Sequence, residues 1–157
     1  MYELRLIWVG KTQETYLKDG IHLYLKKLKP YVTLNVVEIK ATNYRSEDFL
    51  KFQRQETEKI LERLSPSETN IFFDESGQEM TSLEFSRTLG NLRECEHKRV
   101  NFITGGAFGF EKAMLPKGAR LVSLSKMTMT HQMVRLLLLE QTYRAFTLIH
   151  GQKYHHA

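Results

Sequence analysis

Residues 99–109 read RVNFITGGAFG, a short strand-like segment that stops at a run of glycines. Residues 99–104 combine β-branched and aromatic side chains with a single charge, which is typical of a strand buried in a parallel sheet. The glycines that follow permit a sharp turn and a close approach of the backbone to a ligand. The segment therefore predicts a buried strand followed by either a tight structural turn or a binding loop.

Strand and helix patterns alternate outward from this segment along the whole chain. The predicted strands are 2–9, 32–39, 70–74 with a turn at 75–77, 99–104 and 120–124. The predicted helices run from a cap at Thr12 to Pro30, from 46 to 64, from a Thr81–Glu84 capping box to Leu92, from 110 to 115 and from 130 to 150. This alternation predicts one α/β domain over residues 1–157, with a mostly parallel sheet flanked by helices.

Length and composition exclude several classes of protein. The 157 residues are 41% hydrophobic and 26% charged, which is ordinary for one globular domain and argues against disorder or a fibre. No apolar run approaches the roughly 20 residues of a membrane-spanning helix, and no signal-peptide core follows Met1. The single cysteine, Cys95, excludes an internal disulfide and a cysteine-built zinc site. We therefore expect a soluble, cytoplasmic protein with no membrane partner.

The net charge of +5 is concentrated in the last third of the chain. Residues 112–157 hold seven Lys and Arg against one acidic residue, Glu140, whereas residues 1–111 hold 16 basic and 17 acidic residues. Clustered cations favour an anionic partner, because Lys and Arg bind phosphates, although a generic basic surface explains the same count. Four histidines also lie in the last third, but their spacing is not that of a helical metal-binding pair, so we expect no metal.

Ligands of parallel sheets bind beyond the carboxyl ends of the strands, which makes the loops after Asp74, Thr104 and Leu124 the candidate site. Residues 124–131, LSKMTMTH, offer hydroxyls, backbone amides and a helix N-terminus to a polar ligand, and they equally fit an ordinary capped helix. Gly10-Lys11-Thr12 is not a phosphate loop, because Arg5 occupies the position where that motif needs its first glycine. The glycine run at 105–109 also lacks the opening of the dinucleotide fingerprint.

Several segments together resemble one enzyme family. They are ITGGAFG at 103–109, LSKMTMTHQMVR at 124–135, EQTYRAF at 140–146, Tyr154-His155 near the end and LIWVGK at 6–11. In these segments and in length the chain is similar to the SPOUT-class methyltransferases of the RlmH type, which methylate ring nitrogen 3 of a pseudouridine in 23S ribosomal RNA. The resemblance covers essentially the whole chain.

The resemblance implies a fold, a cofactor and partners that periodicity does not show. The C-terminal part of the sheet would be threaded as a deep trefoil knot, an exception to the usual unknotted topology. The methyl donor would be S-adenosylmethionine, and the enzyme would act as a homodimer on 23S RNA within the assembled ribosome. By motif position, the cofactor contacts fall on Phe73, Gly105, Gly106, Leu124, Ser125, Lys126, Met127, Thr128 and Met129.

The chain departs from the family pattern at two positions. Thr130 stands where proline is common, and we expect it to cap the following helix instead. Phe73 stands where a smaller aliphatic residue is usual, and we expect it to pack on the adenine ring of the donor.

The acceptor nitrogen must lose a proton, and several side chains are candidates for assisting that step. The candidate catalytic residues are His131, Arg135, Arg144 and His155, and the candidate RNA contacts are Arg135, Tyr143, Arg144, Tyr154 and His155. Which of them is the base stays open. Two other classes remain as alternatives: a non-catalytic RNA-binding factor associated with the ribosome, and a flavodoxin-like nucleotide-binding protein.

Overall fold

The computed structural model describes residues 3–43, 48–94 and 99–153. The strands are β1 (Glu3–Val9), β2 (Thr33–Ile39), β3 (Thr69–Glu79), β4 (Arg99–Thr104) and β5 (Arg120–Ser123). The helices are α1 (Thr15–Leu28), α2 (Phe49–Leu61), α3 (Ser82–Glu94) and α4 (His131–Ile149), with a short 3-10 turn at Lys112–Met114. The predicted alternation of strand and helix is confirmed, and the strand at 99–104 has the predicted bounds.

The five strands form one sheet in the order β2-β1-β4-β3-β5. All four pairings between these strands are parallel, which confirms the predicted sheet type. Each parallel pairing needs a crossover that returns the chain to the same end of the sheet, and the helices supply these crossovers. The carboxyl ends of β1, β3, β4 and β5 therefore share one edge.

Helices cover both faces of the sheet. Along β1, Leu6 and Trp8 join a core that includes residues of α1, α3 and α4, whereas Ile7 and Val9 point to the opposite core. This separation follows from the alternation of side chains along a strand. The second core takes Ile60 from α2, and α4 packs between α1 and α3 on the first face. No helix in the described ranges combines the length and the apolar character needed to cross a membrane.

The helix caps agree with the sequence in two cases and differ in a third. Thr130 caps α4, where its hydroxyl accepts a hydrogen bond from the Met133 amide at 3.3 Å. At α3, the Thr81 amide donates to the Glu84 carboxylate at 2.7 Å, which confirms the capping box. The cap predicted at Thr12 is wrong, because α1 begins at Thr15 after Glu14. The predicted start of the second helix, at residue 46, lies outside the described residues.

The turn predicted at residues 75–77 is wrong, because β3 continues through it to Glu79. Val122 of β5 pairs with Phe73 and again with Gln78, so residues 74–77 form an excursion between two pairings with one strand. A Cβ at Gly77 would lie 2.6 Å from the backbone nitrogen of Val122 and from the carbonyl carbon of Leu121. Gly77 is therefore required for the two backbones to approach this closely.

We expect Gly77→Ala to destabilise the protein by about 1–3 kcal/mol or more, because a backbone contact cannot move aside as a flexible side chain can. The matched control is Gly90→Ala within α3, where the new Cβ would meet only Ile149, at 4.0 Å. Removal of a helical glycine should stabilise that variant by roughly 0.5–1 kcal/mol. Urea unfolding measures both free energies. Equal stability of the two variants would contradict the role of Gly77.

Candidate active site

One cavity opens at the carboxyl edge of the sheet, between the segments that follow β3, β4 and β5. Its volume is about 530 Å³, within the range of small-molecule sites. The three loops indicated by the sequence meet there. Its walls include eight of the nine residues predicted to hold the donor: Phe73, Gly105, Gly106, Leu124, Ser125, Met127, Thr128 and Met129.

Lys126, the ninth predicted residue, does not line the cavity. Its side chain extends into solvent, where the ammonium group pairs with Glu79 at 3.0 Å. The hydroxyl of Thr128 donates to the carboxylate of Glu75 at 3.0 Å and so ties this loop to the β3 excursion. The loop after β5 is thus fixed by neighbours on β3.

The glycine segment after β4 forms a compact turn. The Gly109 amide donates to the Gly106 carbonyl at 3.0 Å, and Gly109 has a φ of +70°, a conformation that favours glycine. A Cβ at Gly105 would lie 2.8 Å from the Cα of Gly109. The Gln53 side chain of α2 also donates to the carbonyls of Phe108 and Phe110, at 2.8 and 3.1 Å. The segment is therefore both a tight turn and a wall of the cavity.

A buried carboxylate supports this turn from below. Glu56 is 1% exposed, and its Oε2 lies where a side chain on Gly106 would stand. Its Oε1 accepts a hydrogen bond from the Thr42 amide at 3.3 Å, while Oε2 has no hydrogen-bond partner among the described residues. Burial raises the pKa of Glu56, against the smaller opposing effects of Thr42 and of the Lys59 charge. Glu56 thus links α2 to the glycine turn.

Asp74 supplies a second carboxylate, at the cavity wall. Burial raises its pKa, but hydrogen bonds from Ser76 and the nearby Lys112 ammonium outweigh burial, so that the pKa of Asp74 lies below its usual value. The Ser76 amide donates at 3.0 Å, and the Lys112 ammonium lies 3.2 Å away. Asp74 is therefore an anion at neutral pH.

His131 lies at the start of α4 and lines the cavity half-buried. Burial lowers its pKa, and the positive charge of Arg135, one helical turn later, lowers it further. The imidazole is therefore neutral at pH 7 and able to accept a proton.

Comparison with known proteins identifies the family to which the chain belongs. The family described as predicted SPOUT methyltransferase matches residues 2–155. The chain belongs to the SPOUT methyltransferase family. Proteins named ribosomal RNA large subunit methyltransferase H are 38% identical in Geotalea daltonii and 41% identical in Cytophaga hutchinsonii, each over 98% of this chain and 99% of the relative. A solved structure, a probable methylase family protein from Haemophilus influenzae Rd KW20, covers 99% of this chain and 71% of its own with a TM-score of 0.54. At 11% identity that structure shows a shared fold alone.

In this SPOUT methyltransferase, Arg135 faces away from the cavity and is fully buried. Its guanidinium donates to the Val9 carbonyl at 2.6 Å and to the Thr12 hydroxyl at 2.9 Å, and it lies 5.1 Å from the Trp8 ring. This contact explains why Thr12 does not cap α1. Burial lowers the pKa of Arg135 to about 10, so the side chain remains a cation at neutral pH.

Two further predicted residues, Tyr143 and Arg144, lie far from the cavity within one chain. Arg144 pairs with Glu140 at 2.6 Å, and the Tyr143 ring lies 6.0 Å from that of Tyr31. Arg144 follows His131 by thirteen residues of the same helix, or about 20 Å at 1.5 Å per residue. Tyr154 and His155 lie outside the described residues.

Sequence reasoning missed several residues of the cavity wall. Leu50 and Gln53 come from α2, and Glu111 and Lys112 come from the segment after the glycines. The position of Asp74 in the sequence could have identified it, since it ends a predicted strand at the edge of the sheet where ligands bind. Nothing in the sequence identified Leu50 and Gln53, because helical spacing does not reveal what the end of a helix faces. No group of three or more His, Cys, Asp or Glu side chains suited to a metal occurs within 3–43, 48–94 and 99–153.

The buried carboxylate predicts a pH effect on stability. The pKa of Glu56 is raised in the folded protein, so the protonated side chain contributes to folding stability below the ordinary pKa of roughly 4.3. That stabilisation is lost as the pH rises through the raised pKa. Glu56→Gln stays neutral and keeps an acceptor for Thr42. We expect this variant to gain stability relative to the wild type between about pH 4 and pH 7.5, measured by urea unfolding.

Glu68→Gln is the control of opposite sign. Burial raises the pKa of Glu68, but hydrogen bonds from Asn101 and Arg99 outweigh it and lower the pKa. Ionised Glu68 therefore stabilises the fold above its ordinary pKa, and this stabilisation is lost as the pH falls. Glu68→Gln lacks it, so the variant should become less stable relative to the wild type as the pH rises over the same range. Parallel behaviour of the two variants would contradict the assignment.

Proposed function

We propose that the protein is an S-adenosylmethionine-dependent methyltransferase that acts on ring nitrogen 3 of a pseudouridine in 23S ribosomal RNA, on the assembled ribosome in the cytoplasm. The observation that carries the proposal is the meeting of the two family motifs, 103–109 and 124–131, around one cavity at the sheet edge. Full-length relatives named ribosomal RNA large subunit methyltransferase H support the RNA substrate.

The cavity fits the donor in size and in chemistry. Gly105, Gly106 and the segment 124–129 bring backbone groups to its wall, as a ligand that carries an adenine and an amino acid requires. Phe73 and Leu124 supply apolar surface for the adenine ring, and the Asp74 carboxylate supplies a negative charge near the cationic donor. When bound, S-adenosylmethionine supplies an activated methyl group on a sulfonium sulfur.

The residues of this chain then align the reactants and accept the proton that the acceptor nitrogen loses. Methyl transfer is an in-line displacement, so most of the acceleration comes from orientation of donor and acceptor in a fixed wall. We assign the acceptor proton to His131, because it lines the cavity and its lowered pKa keeps it neutral at pH 7. Arg135 positions the start of α4 through Val9 and Thr12 and does not contact the substrate.

The separation of His131 and Arg144 supports a homodimer. If both act on one substrate, as the family resemblance implies, the far end of α4 must come from a second chain. Exposed apolar side chains on α1 and α4 provide a surface for that contact: Tyr16 is 60% exposed, Leu23 48% and Leu137 37%. We propose that the far end of one subunit completes the cavity of the other, and that the C-terminal segment forms the trefoil knot of the family.

Donor binding tests the cavity directly. Gly105→Ala places a Cβ against the Gly109 backbone, so the turn must open and we expect S-adenosylmethionine affinity to fall by about tenfold or more. Gly90→Ala is the folded control and should bind as the wild type does. Calorimetry measures both. No donor binding by the wild type would favour the non-catalytic RNA-binding factor instead.

Subunit complementation tests the shared site. His131→Gln and Arg144→Ala should each lose about 10²–10⁴-fold in methyl transfer to ribosomes if both act in the reaction. A mixture of the two variants should recover part of the activity, because one of the two sites in a mixed dimer is then intact. No recovery from subunits shown to exchange would contradict the shared site, and a monomer in sedimentation at micromolar concentration would contradict the homodimer.

A further inference from the structure

A group of lysines lies at the end of the chain opposite its own cavity. We name Lys26, Lys27, Lys29 and Lys153 the lysine patch. The C-terminus of α1 lies at the amino edge of the sheet, because α1 leads from the carboxyl end of β1 to the start of β2. The hydroxyl of Tyr31, just after α1, donates to the Gln152 side chain at 2.7 Å. This bond joins the segment after α1 to the segment after α4 and brings the four lysines to one end of the protein.

The patch is a concentration of cations without acidic partners in the part of the chain that the structure describes. Lys26, Lys29 and Lys153 are exposed, and among the described residues none of the four lysines pairs with a carboxylate. By contrast, the cavity lysine Lys112 is paired with Asp74. The patch therefore presents uncompensated positive charge to solvent.

Aromatic rings hold one of these cations in place. The Lys27 ammonium lies 5.4 Å from the centre of the Tyr24 ring and 5.2 Å from that of Tyr143. Tyr143 packs in turn against Tyr31, whose hydroxyl holds Gln152. These contacts restrict Lys27 before any partner binds, which lowers the entropy lost on binding.

We propose that the lysine patch is a docking surface for the phosphate backbone of the RNA substrate, outside the methylation cavity. The proposal rests on the proposed function, because it assigns part of the same RNA to a second surface. Clustered unpaired lysines are the usual means of binding phosphate, and a patch built from two separate segments suits a large structured RNA rather than a single nucleotide. In the proposed homodimer this end of one subunit adjoins the cavity of the other, because Lys27 lies beside Tyr143, the neighbour of Arg144. The patch therefore lies where RNA that flanks the target nucleotide would pass.

Charge-matched variants test the patch. Lys26→Gln/Lys29→Gln removes two patch cations, and Lys51→Gln/Lys117→Gln removes two exposed cations elsewhere. We expect the patch variant to bind large ribosomal subunits more weakly and to lower the salt dependence of binding by about one unit of slope per lost phosphate contact. Its kcat/KM for ribosomes should fall, while donor affinity and kcat at saturating ribosomes stay as in the wild type. Adding Lys153→Gln should lower the slope further.

The same measurements separate the competing outcomes. A slope equal to that of the Lys51/Lys117 control would show a merely solvated lysine face and overturn the proposal. Weaker binding to intact subunits but unchanged binding to protein-free 23S RNA would assign the patch to an acidic ribosomal protein. A change in sedimentation would assign it to the subunit contact. If the wild type does not methylate ribosomes, the proposed function is wrong. If the wild type methylates ribosomes but the patch variant binds them with the same salt dependence as its control, only the docking surface is wrong.

Discussion

The close backbone contact between β3 and β5 at Gly77 positions the segments that form the cavity. Because Val122 pairs with both Phe73 and Gln78, residues 74–77 of β3 bulge out of register with β5 at the carboxyl edge of the sheet. That displacement carries Asp74 and Glu75 to the cavity wall, and the same register places the loop after β5 beside them. The cavity thus depends on main-chain hydrogen bonds that tolerate no side chain at residue 77.

Two buried ionisable side chains near the cavity, Arg135 and Glu56, hold segments of the fold in place at a cost in stability. Among the described residues, the buried cation of Arg135 donates to one carbonyl and one hydroxyl, and the buried carboxyl group of Glu56 has one oxygen without a partner. Burial of such groups opposes folding unless their bonds offset the loss of water. Each joins elements that are distant in sequence: Arg135 joins the end of β1 to α4, and Glu56 joins α2 to the glycine turn. Both fix a wall of the cavity, which is the compromise expected at a functional site.

Local sequence patterns correctly predicted the structural features that depend on interactions between neighbouring residues. Strand β4, the Thr81–Glu84 box and the Thr130 cap follow from neighbouring residues alone, and they were predicted correctly. The Thr12 cap and the turn at 75–77 failed because a distant group intervenes in each case: Arg135 takes the Thr12 hydroxyl, and β5 pairs across Gly77. At the site, motif resemblance identified the glycine turn and the loop after β5. It could not show that Arg135 is buried or that His131 and Arg144 lie at opposite ends of α4, because neither distance nor burial is encoded in motif spacing.

We propose that this chain methylates one pseudouridine of the large-subunit RNA with the cavity described above. Mass spectrometry of 23S RNA from cells that lack the protein tests this activity without any assumption about the site. We expect that one methyl group on the N3 position of a pseudouridine disappears and returns when the wild-type chain is restored, but not when His131→Gln is supplied. An unchanged pattern of 23S RNA modification in the deletion strain would contradict it.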